Sequence, residues 1–253
     1  MTLLFWRFRW LGLLALLGAV WPVQAAPVHV AVAANFSAPM QQLAQVFAQE
    51  TGHQAVLSVG STGHFYAQIT QGAPFQVLLA ADAATPLKLE QEGLGVAGSR
   101  FTYATGRLVL WSKQPSRVDA KGEVLRNGSF ARLAVANPLL APYGAAAVQT
   151  LTAMGLLPQL QPKLVQGENI AQTYQFVASE SAPLGFVALS QVGRDGQLTS
   201  GSGWIVPASL HQPIQQDAIL LRPGRDQPAA LALMRFLRSE RAQALIRAQG
   251  YGL

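Results

Sequence analysis

Residues 28–63 read VHVAVAANFSAPMQQLAQVFAQETGHQAVLSVGSTG, and this stretch decides the fold. It opens with a short Val-rich apolar run, which is typical of a buried strand. Four apolar residues then follow with the i, i+3, i+4, i+7 spacing of a helix face: Met40, Leu43, Ala44 and Phe47. Gly52 ends this predicted helix, and residues 55–59 form a second apolar strand. Strand, helix and strand at this spacing predict parallel pairing through a helical crossover.

The same alternation continues along the rest of the chain. It predicts an α/β protein of two lobes, each a mostly parallel sheet flanked by helices, with a hinged ligand cleft between them. We expect residues 26–107 together with 218–253 to form lobe 1, and residues 108–217 to form lobe 2. The two helices predicted after residue 218 would then cap the first lobe.

The N-terminal residues predict export from the cytoplasm. Arg7 and Arg9 precede the apolar run LGLLALLGAV at 11–20, and small residues follow near Ala25. A basic start, a short apolar segment and a small-residue cleavage site are typical of a secretory signal peptide. A membrane anchor is the alternative, but a spanning helix needs about 20 apolar residues. We therefore predict a signal peptide over residues 1–25, cleavage after Ala25 and a soluble periplasmic product.

Charge and cysteine content exclude several functions. Loss of residues 1–25 removes Arg7 and Arg9, so the formal charge of +6 falls to about +4. The remaining basic residues are scattered, whereas nucleic-acid binding needs a dense basic patch. The mild positive charge would steer a small anion only weakly. The chain has no cysteine, which removes thiol catalysis, iron–sulfur clusters and cysteine zinc sites.

Four polar loops follow predicted strands and open predicted helices. They are residues 33–37 (AANFS), 60–63 (GSTG), 137–144 (NPLLAPYG) and 167–170 (GENI). In open α/β sheets, ligands bind at the carboxyl ends of the strands, where helix starts offer free backbone N–H groups to an anion. Ser37, Thr62 and Asn169 are also good helix caps, so each loop taken alone has a purely structural interpretation. Two such loops in each lobe favour convergence on one cleft.

These loops contain one charged residue, Glu168, which we expect to point away from an anion. Neutral N–H and O–H donors favour a fully ionised tetrahedral oxyanion, because a protonated anion would add a donor without an acceptor. Which oxyanion binds is a matter of cavity size, and the loop residues leave it open.

Other chemistry has little support in the sequence. The chain lacks the HExxH metal-binding motif and the GxSxG nucleophile motif. His64 lies beside the second loop, but we expect it to be structural or exposed. Asp82 precedes a predicted helix and is expected to cap it rather than act as an acid. We therefore predict no enzyme activity, no cofactor and no directly ligated metal.

Several ordered segments resemble the periplasmic molybdate-binding proteins of ABC transporters. They are AANF at 33–36, GSTG at 60–63, GAPFQV at 72–77, NPLLAPYG at 137–144 and APLGFV at 182–187. The resemblance covers nearly the whole chain after residue 26, in the same order. It implies the two-lobed periplasmic binding protein fold, capture of molybdate and possibly tungstate, and delivery to an ABC permease. It also implies a monomer that does not insert into the membrane.

The resemblance also implies a ligand set, in which molybdenum is present only as bound molybdate. The implied oxyanion-binding residues are Asn35, Ser61, Thr62, Tyr143 and Ile170. Tyr143 and Ile170 would contribute backbone amides. Some members of the family use a Tyr in the strand after APLG, where this chain has Ala188. Tyr143 or Asn35 would then supply the replacement donor.

Three alternatives remain at the sequence level. The same fold would also suit another anion, such as sulfate or a small carboxylate. Carboxylate binders usually carry an Arg in the cleft, and no loop named above contains one. A secreted hydrolase is the second alternative, but the sequence shows no nucleophile–base pair that would support it. A transcriptional effector domain of similar fold is opposed by the predicted signal peptide.

Overall fold

The computed structural model describes residues 27–253, so the predicted signal peptide and its cleavage site lie outside the described residues. The strands are β1 (Val28–Ala33), β2 (Ala55–Gly60), β3 (Val77–Leu79), β4 (Phe101–Gly106), β5 (Leu108–Ser112), β6 (Leu133–Ala136), β7 (Leu164–Gly167), β8 (Leu184–Ala188), β9 (Gly193–Arg194), β10 (Gln197–Leu198), β11 (Ser202–Ile205) and β12 (Ile214–Leu220). The α-helices are α1 (Ser37–Thr51), α2 (Thr62–Thr70), α3 (Ala84–Gln91), α4 (Val124–Asn127), α5 (Pro142–Ala153), α6 (Leu157–Leu160), α7 (Ile170–Ala178), α8 (Leu189–Val192), α9 (Pro228–Phe236) and α10 (Glu240–Ala248).

Two five-stranded sheets form the centres of the two lobes. Lobe 1 has the strand order β2-β1-β3-β12-β4, and lobe 2 has the order β11-β5-β8-β6-β7. In each sheet two neighbouring pairs are parallel and two are antiparallel. The predicted two-lobed α/β fold is confirmed. The sheets are mixed, because strands near the chain crossings run antiparallel to their neighbours.

The strand pairing moves one expected lobe boundary. We expected lobe 2 to end at residue 217, but β12 already begins at Ile214 and pairs with β3 and β4 of lobe 1. The second chain crossing therefore falls between β11 and β12, at residues 206–213. The first crossing lies between β4 and β5. We propose residues 27–106 with 214–253 as lobe 1 and 107–213 as lobe 2.

Strand β4 was missing from the sequence prediction. Its sequence FTYATG mixes polar and aromatic residues and lacks a continuous apolar run. It lies at the edge of the lobe 1 sheet and pairs only with β12 among the named strands. An edge strand is half-covered, so it needs less apolar sequence than the central strands.

The apolar spacing that predicted the first helix also explains its packing. Met40, Leu43 and Phe47 are fully buried on α1, and Gly52 ends the helix at a φ of 73°. A left-handed φ suits glycine, which has no Cβ to clash. The same core contains residues of α9 and α10, so the C-terminal helices pack on lobe 1. Within residues 27–253, no helix has the length and apolar character needed to span a membrane.

Candidate functional site

All five residues of the expected ligand set line one small cavity between the lobes. The space between the lining atoms amounts to about 200 Å³, including a part that is open to solvent. Its walls are formed by Ala33, Ala34, Asn35, Gly60, Ser61, Thr62, Ala81, Ala141, Pro142, Tyr143, Asn169 and Ile170. The first seven belong to lobe 1 and the last five to lobe 2, so the cavity exists where the two lobes meet.

The cavity is buried, neutral and small. Each residue of the expected ligand set exposes at most 3% of its surface. None of the described residues that line the cavity has a charged side chain. This cavity is therefore suited to a small inorganic ion rather than to an organic substrate.

The start of α2 supplies two hydroxyl groups, each of which already accepts one hydrogen bond. Ser61 caps the helix, and its Oγ accepts a hydrogen bond from the His64 N–H at 3.4 Å. The Thr62 Oγ1 accepts from the Ala81 N–H at 3.0 Å. A hydroxyl that accepts from one neighbour keeps its own proton for another partner. Both side chains are therefore available as donors to an acceptor in the cavity.

Two helix starts of lobe 2 face the same cavity. Tyr143 follows Pro142 in the first turn of α5, and Ile170 is the first residue of α7. N–H groups in a first turn have no acceptor within their own helix. The Asn169 Oδ1 accepts from the two amides that follow Ile170, at 2.9 and 3.0 Å. The cap therefore satisfies the neighbouring amides and leaves the Ile170 N–H to other acceptors.

Asn35 forms part of the cavity wall, and its side chain is hydrogen-bonded to residues outside the cavity. It lies in a 3-10 turn, Ala34–Phe36, directly after β1. Its Nδ2 donates to the Gln216 Oε1 at 2.9 Å and to the Tyr251 Oη at 3.0 Å. Both side-chain protons are thus engaged in the closed arrangement. The expected role of Asn35 as an oxyanion ligand remains a prediction.

Three buried tyrosines surround this polar cluster in their neutral form. Burial raises the pKa of Tyr251 to about 12 and raises the pKa of Tyr103 and Tyr143 well above their ordinary values. The Tyr143 Oη accepts a hydrogen bond from the Gln216 Nε2 at 3.1 Å. The tyrosines therefore act as hydrogen-bonding groups without adding negative charge near the cavity.

Direct contacts hold the lobes together beside the cavity. The Gly63 N–H of α2 donates to the Leu140 carbonyl of lobe 2 at 2.9 Å. Gln216 of β12 contacts the Tyr143 hydroxyl of α5, as described above. A larger open cleft adjoins the cavity and shares Ala81, Ala141 and Pro142 with it. This arrangement is a closed cleft around an enclosed site.

Two capping predictions were wrong in detail. Phe36 is the N-cap of α1, and Ser37 instead donates to the Ala34 carbonyl at 3.0 Å. Ser61 caps α2, which leaves Thr62 as the first helical residue. The helix starts one residue earlier than expected at each place. A 3-10 turn leads directly into α1, whereas α2 follows strand β2 after the single extended residue Ser61.

Other sequence expectations have clear positions in the structure. Glu168 and His64 are exposed and do not line the cavity. Ala188 is fully buried and also lies outside the cavity wall, and its N–H donates to the Gln191 Oε1 at 2.9 Å. The replacement donor expected from Asn35 or Tyr143 has no direct support, since the side chain of each already contacts the Gln216 cluster.

Asp82 bonds the first turn of α3, close to the cavity. Its carboxylate accepts from the Thr85 N–H at 2.7 Å and from the Thr85 Oγ1 at 3.1 Å. Burial nevertheless raises the pKa of Asp82 above its ordinary value, with a smaller contribution from Asp217. A raised pKa means that the folded state binds the proton more tightly than the unfolded state.

Asp82→Asn should therefore change how stability depends on pH. Ionised Asp82 destabilises the folded state, so the wild type loses stability relative to the variant as pH rises through the raised pKa. The difference in free energy of unfolding, variant minus wild type, should increase with pH and then level off. Urea unfolding of both proteins at a series of pH values measures this difference. Asp226→Asn, which removes one carboxylate at an exposed position, is the matched control. A difference that shrinks with rising pH would contradict the assignment.

Sequence analysis missed the polar cluster behind the cavity. Gln216 is fully buried, and Tyr251 is 5% exposed in the last three residues of the chain. Three consecutive polar residues, Gln215, Gln216 and Asp217, interrupt the apolar pattern of β12, and the pairing register shifts between the last two. Such an interruption is a usable signal, since bulges often redirect side chains at functional sites. Nothing near Tyr251 in the sequence indicates its contact with Asn35.

The fold and the site together define a two-lobed solute-binding protein with a small, uncharged cavity between its lobes. No group of three or more His, Cys, Asp or Glu residues able to hold a metal occurs in residues 27–253. The model of the bacterial extracellular solute-binding protein family matches residues 28–252, and the chain belongs to this family. It is therefore a transport binding protein and not an enzyme, which sets aside the hydrolase alternative.

Two relatives and one solved structure place the chain more closely. The chain is 58% identical to the molybdate-binding protein ModA of Azotobacter vinelandii over 230 residues, covering 91% of each protein. It is 48% identical to ModA of Rhodobacter capsulatus, covering 95% of this chain and 94% of that one. A solved periplasmic molybdate-binding protein of Azotobacter vinelandii superposes with a TM-score of 0.86 at 42% identity, covering 89% of this chain and 99% of that structure. The resemblance seen in the sequence motifs is confirmed, as is the periplasmic binding protein fold.

Proposed function

We propose that this protein captures molybdate between its two lobes in the periplasm and delivers it to an ABC permease. The observation that carries the proposal is the neutral cavity at three helix starts, in a chain 58% identical to a molybdate-binding relative. Tungstate has the same shape and charge, so we expect it to bind as well. The protein would be exported by the signal peptide over residues 1–25 and would act as a monomer.

The proposed contacts use uncharged donors only. The Ser61 and Thr62 hydroxyls would donate from lobe 1, and the Tyr143 and Ile170 amides would donate from lobe 2. The positive ends of α2, α5 and α7 would add to the attraction for an anion. An anion bound to both lobes would stabilise the closed state in proportion to these contacts. Asn35 would complete the wall.

Selectivity follows from the protonation state of the ligand. Molybdate, tungstate and sulfate carry no proton at neutral pH, whereas phosphate carries at least one. The O–H group of a protonated ligand would point at a protein donor and would find no acceptor. Such an unpaired buried polar group costs about 1–3 kcal/mol. We therefore expect phosphate to be rejected by protonation and sulfate by the fit of the cavity.

Titration calorimetry with the four anions tests the function. We expect saturable one-to-one binding of molybdate and tungstate, with much weaker binding of sulfate and phosphate. A protein that binds sulfate most tightly would keep the fold and refute the assigned ligand. A protein that gives no heat with molybdate or tungstate would refute the proposal itself.

Replacement of Ile170 isolates one backbone donor. Proline is tolerated at the first position of a helix, where its missing N–H is not needed by the helix. Asn169 already has an extended backbone, which suits a residue before proline. We expect Ile170→Pro to bind molybdate about tenfold more weakly than Ile170→Val, the equivalent of about 1.4 kcal/mol. Calorimetry on both variants measures the difference, and equal affinities would remove the Ile170 amide from the ligand set.

A further inference from the structure

We propose that the C-terminal tail is part of the binding machinery, with Tyr251 as a positioning residue. Its hydroxyl fixes the Asn35 turn of the cavity wall and links that turn to Ser190 of lobe 2. This inference rests on the proposed function, because it assigns Tyr251 a part in closing the same site.

The tail is anchored to the lobe 1 sheet. The Thr105 N–H donates to the Gly252 carbonyl at 2.7 Å, and the Gly252 N–H donates to the Thr105 carbonyl at 3.0 Å. This pair fixes the residue next to Tyr251 against β4. The Tyr251 ring packs edge-on against Phe36, with ring centroids 5.3 Å apart. The tail is thus seated directly behind the turn that forms the cavity wall.

The Tyr251 hydroxyl meets three polar atoms at once. It donates to the Asn35 carbonyl at 2.7 Å, accepts from the Asn35 Nδ2 at 3.0 Å, and lies 2.9 Å from the Ser190 Oγ. The Ser190 Oγ also donates to the Asn35 carbonyl at 3.2 Å. The Tyr251 and Ser190 hydroxyls have one proton each, so each can donate only one hydrogen bond at a time. Whichever acceptor each proton takes, Asn35, Tyr251 and Ser190 stay linked by hydrogen bonds.

This cluster joins the two lobes. Asn35 and Tyr251 belong to lobe 1, whereas Ser190 lies in α8, directly after β8 of the lobe 2 sheet. Opening of the cleft would separate Ser190 from its two partners. The contact therefore adds to the stability of the closed state, and its loss should speed release of the anion. Gln216 still holds the Asn35 side chain from another direction, so the turn itself should survive.

The test compares Tyr251→Phe with the wild type. Phenylalanine keeps the ring packed against Phe36 and removes only the hydroxyl. We expect molybdate affinity to fall about tenfold, as for the loss of a single hydrogen bond that supports the closed state. Stopped-flow tryptophan fluorescence should place this loss in the dissociation rate, with the association rate nearly unchanged. The melting temperature without ligand should fall only modestly, because the two hydrogen bonds between Tyr251 and Asn35 within lobe 1 are lost while the ring packing is kept.

A double-mutant cycle tests the link between the lobes. Ser190→Ala should also weaken binding, because it removes the Ser190 contacts with both Tyr251 and Asn35. The loss in the double variant should be smaller than the sum of the two single losses, because both variants break the Tyr251–Ser190 contact. Tyr66→Phe is the matched control, since its hydroxyl contacts the exposed Glu92 and neither residue lines the cavity. It should bind like the wild type.

Three outcomes would overturn the inference. Unchanged molybdate affinity and dissociation rate in Tyr251→Phe would remove Tyr251 from the site while leaving the proposed function intact. Fully additive losses in the double variant would show that Tyr251 and Ser190 act separately. Absence of molybdate binding by the wild type would overturn the proposed function and this inference together.

Discussion

Gly63→Ala should lower molybdate affinity by roughly 5- to 150-fold while leaving the ligand-free protein folded. A Cβ at this position would lie 2.9 Å from the Leu140 Cα and 3.2 Å from the Leu140 carbonyl oxygen. These are backbone atoms of the opposite lobe, so relief requires the lobes to move apart. Overpacking of this kind costs about 1–3 kcal/mol, which corresponds to that range of affinity. Calorimetry with molybdate measures the effect.

The same substitution should not destabilise the ligand-free protein, in which the cleft is open. Gly63 lies inside α2, where alanine is more favourable than glycine by about 0.5–1 kcal/mol. We therefore expect an unchanged or higher melting temperature without ligand, together with weaker binding. Gln68→Ala, at an exposed site on the same helix, is the control and should leave affinity unchanged. Wild-type affinity in Gly63→Ala would show that closure does not bring these backbones together.

Ser61→Ala should also weaken molybdate binding, by roughly 10- to 100-fold. Hydrogen bonds to charged groups contribute about 1.5–3 kcal/mol, and this variant removes one proposed donor. It also removes the cap that fixes the first turn of α2, whose Thr62 lines the same cavity. The effect should therefore exceed that of deleting the Ile170 amide alone. Calorimetry again gives the affinity, and thermal unfolding gives the stability.

Ser239→Ala separates the two roles of Ser61. Ser239 caps α10 and accepts from the Ala242 N–H at 3.2 Å, but it is not among the residues that line the cavity. Loss of a serine cap typically costs about 1 kcal/mol of stability. Both variants should lose stability to a similar extent, whereas only Ser61→Ala should lose affinity. Equal affinities of the two variants would make Ser61 a helix cap and nothing more.

The local parts of this site could be read from the sequence because each is a strand end followed by a helix start. Ser61, Tyr143 and Ile170 lie within such segments, and the convergence of the segments follows from the α/β topology. Tyr143 was expected to contribute its amide, and Tyr143 or Asn35 was expected to replace the donor missing at Ala188. Tyr143 lies in the first turn of α5, and its amide contact with an anion stays a prediction.

The contacts behind the cavity could not be read in this way. Asn35 is 181 residues from Gln216 and 216 residues from Tyr251 along the chain, so no local pattern joins them. Strand β4 was missed for a related reason, since its pairing partner β12 is more than 100 residues away. These features depend on where the chain returns to lobe 1. The boundary expected at residue 217 lies after the start of β12, which already belongs to the lobe 1 sheet.

Anomalous X-ray diffraction from crystals grown with molybdate tests the central claim most directly. The molybdenum atom should appear as a single strong peak between the lobes. Its oxygens should lie within hydrogen-bond distance of Ser61, Thr62 and the amides of Tyr143 and Ile170. A peak in the outer cleft near Asp82, or oxygens bound to charged side chains, would contradict a site made of uncharged donors.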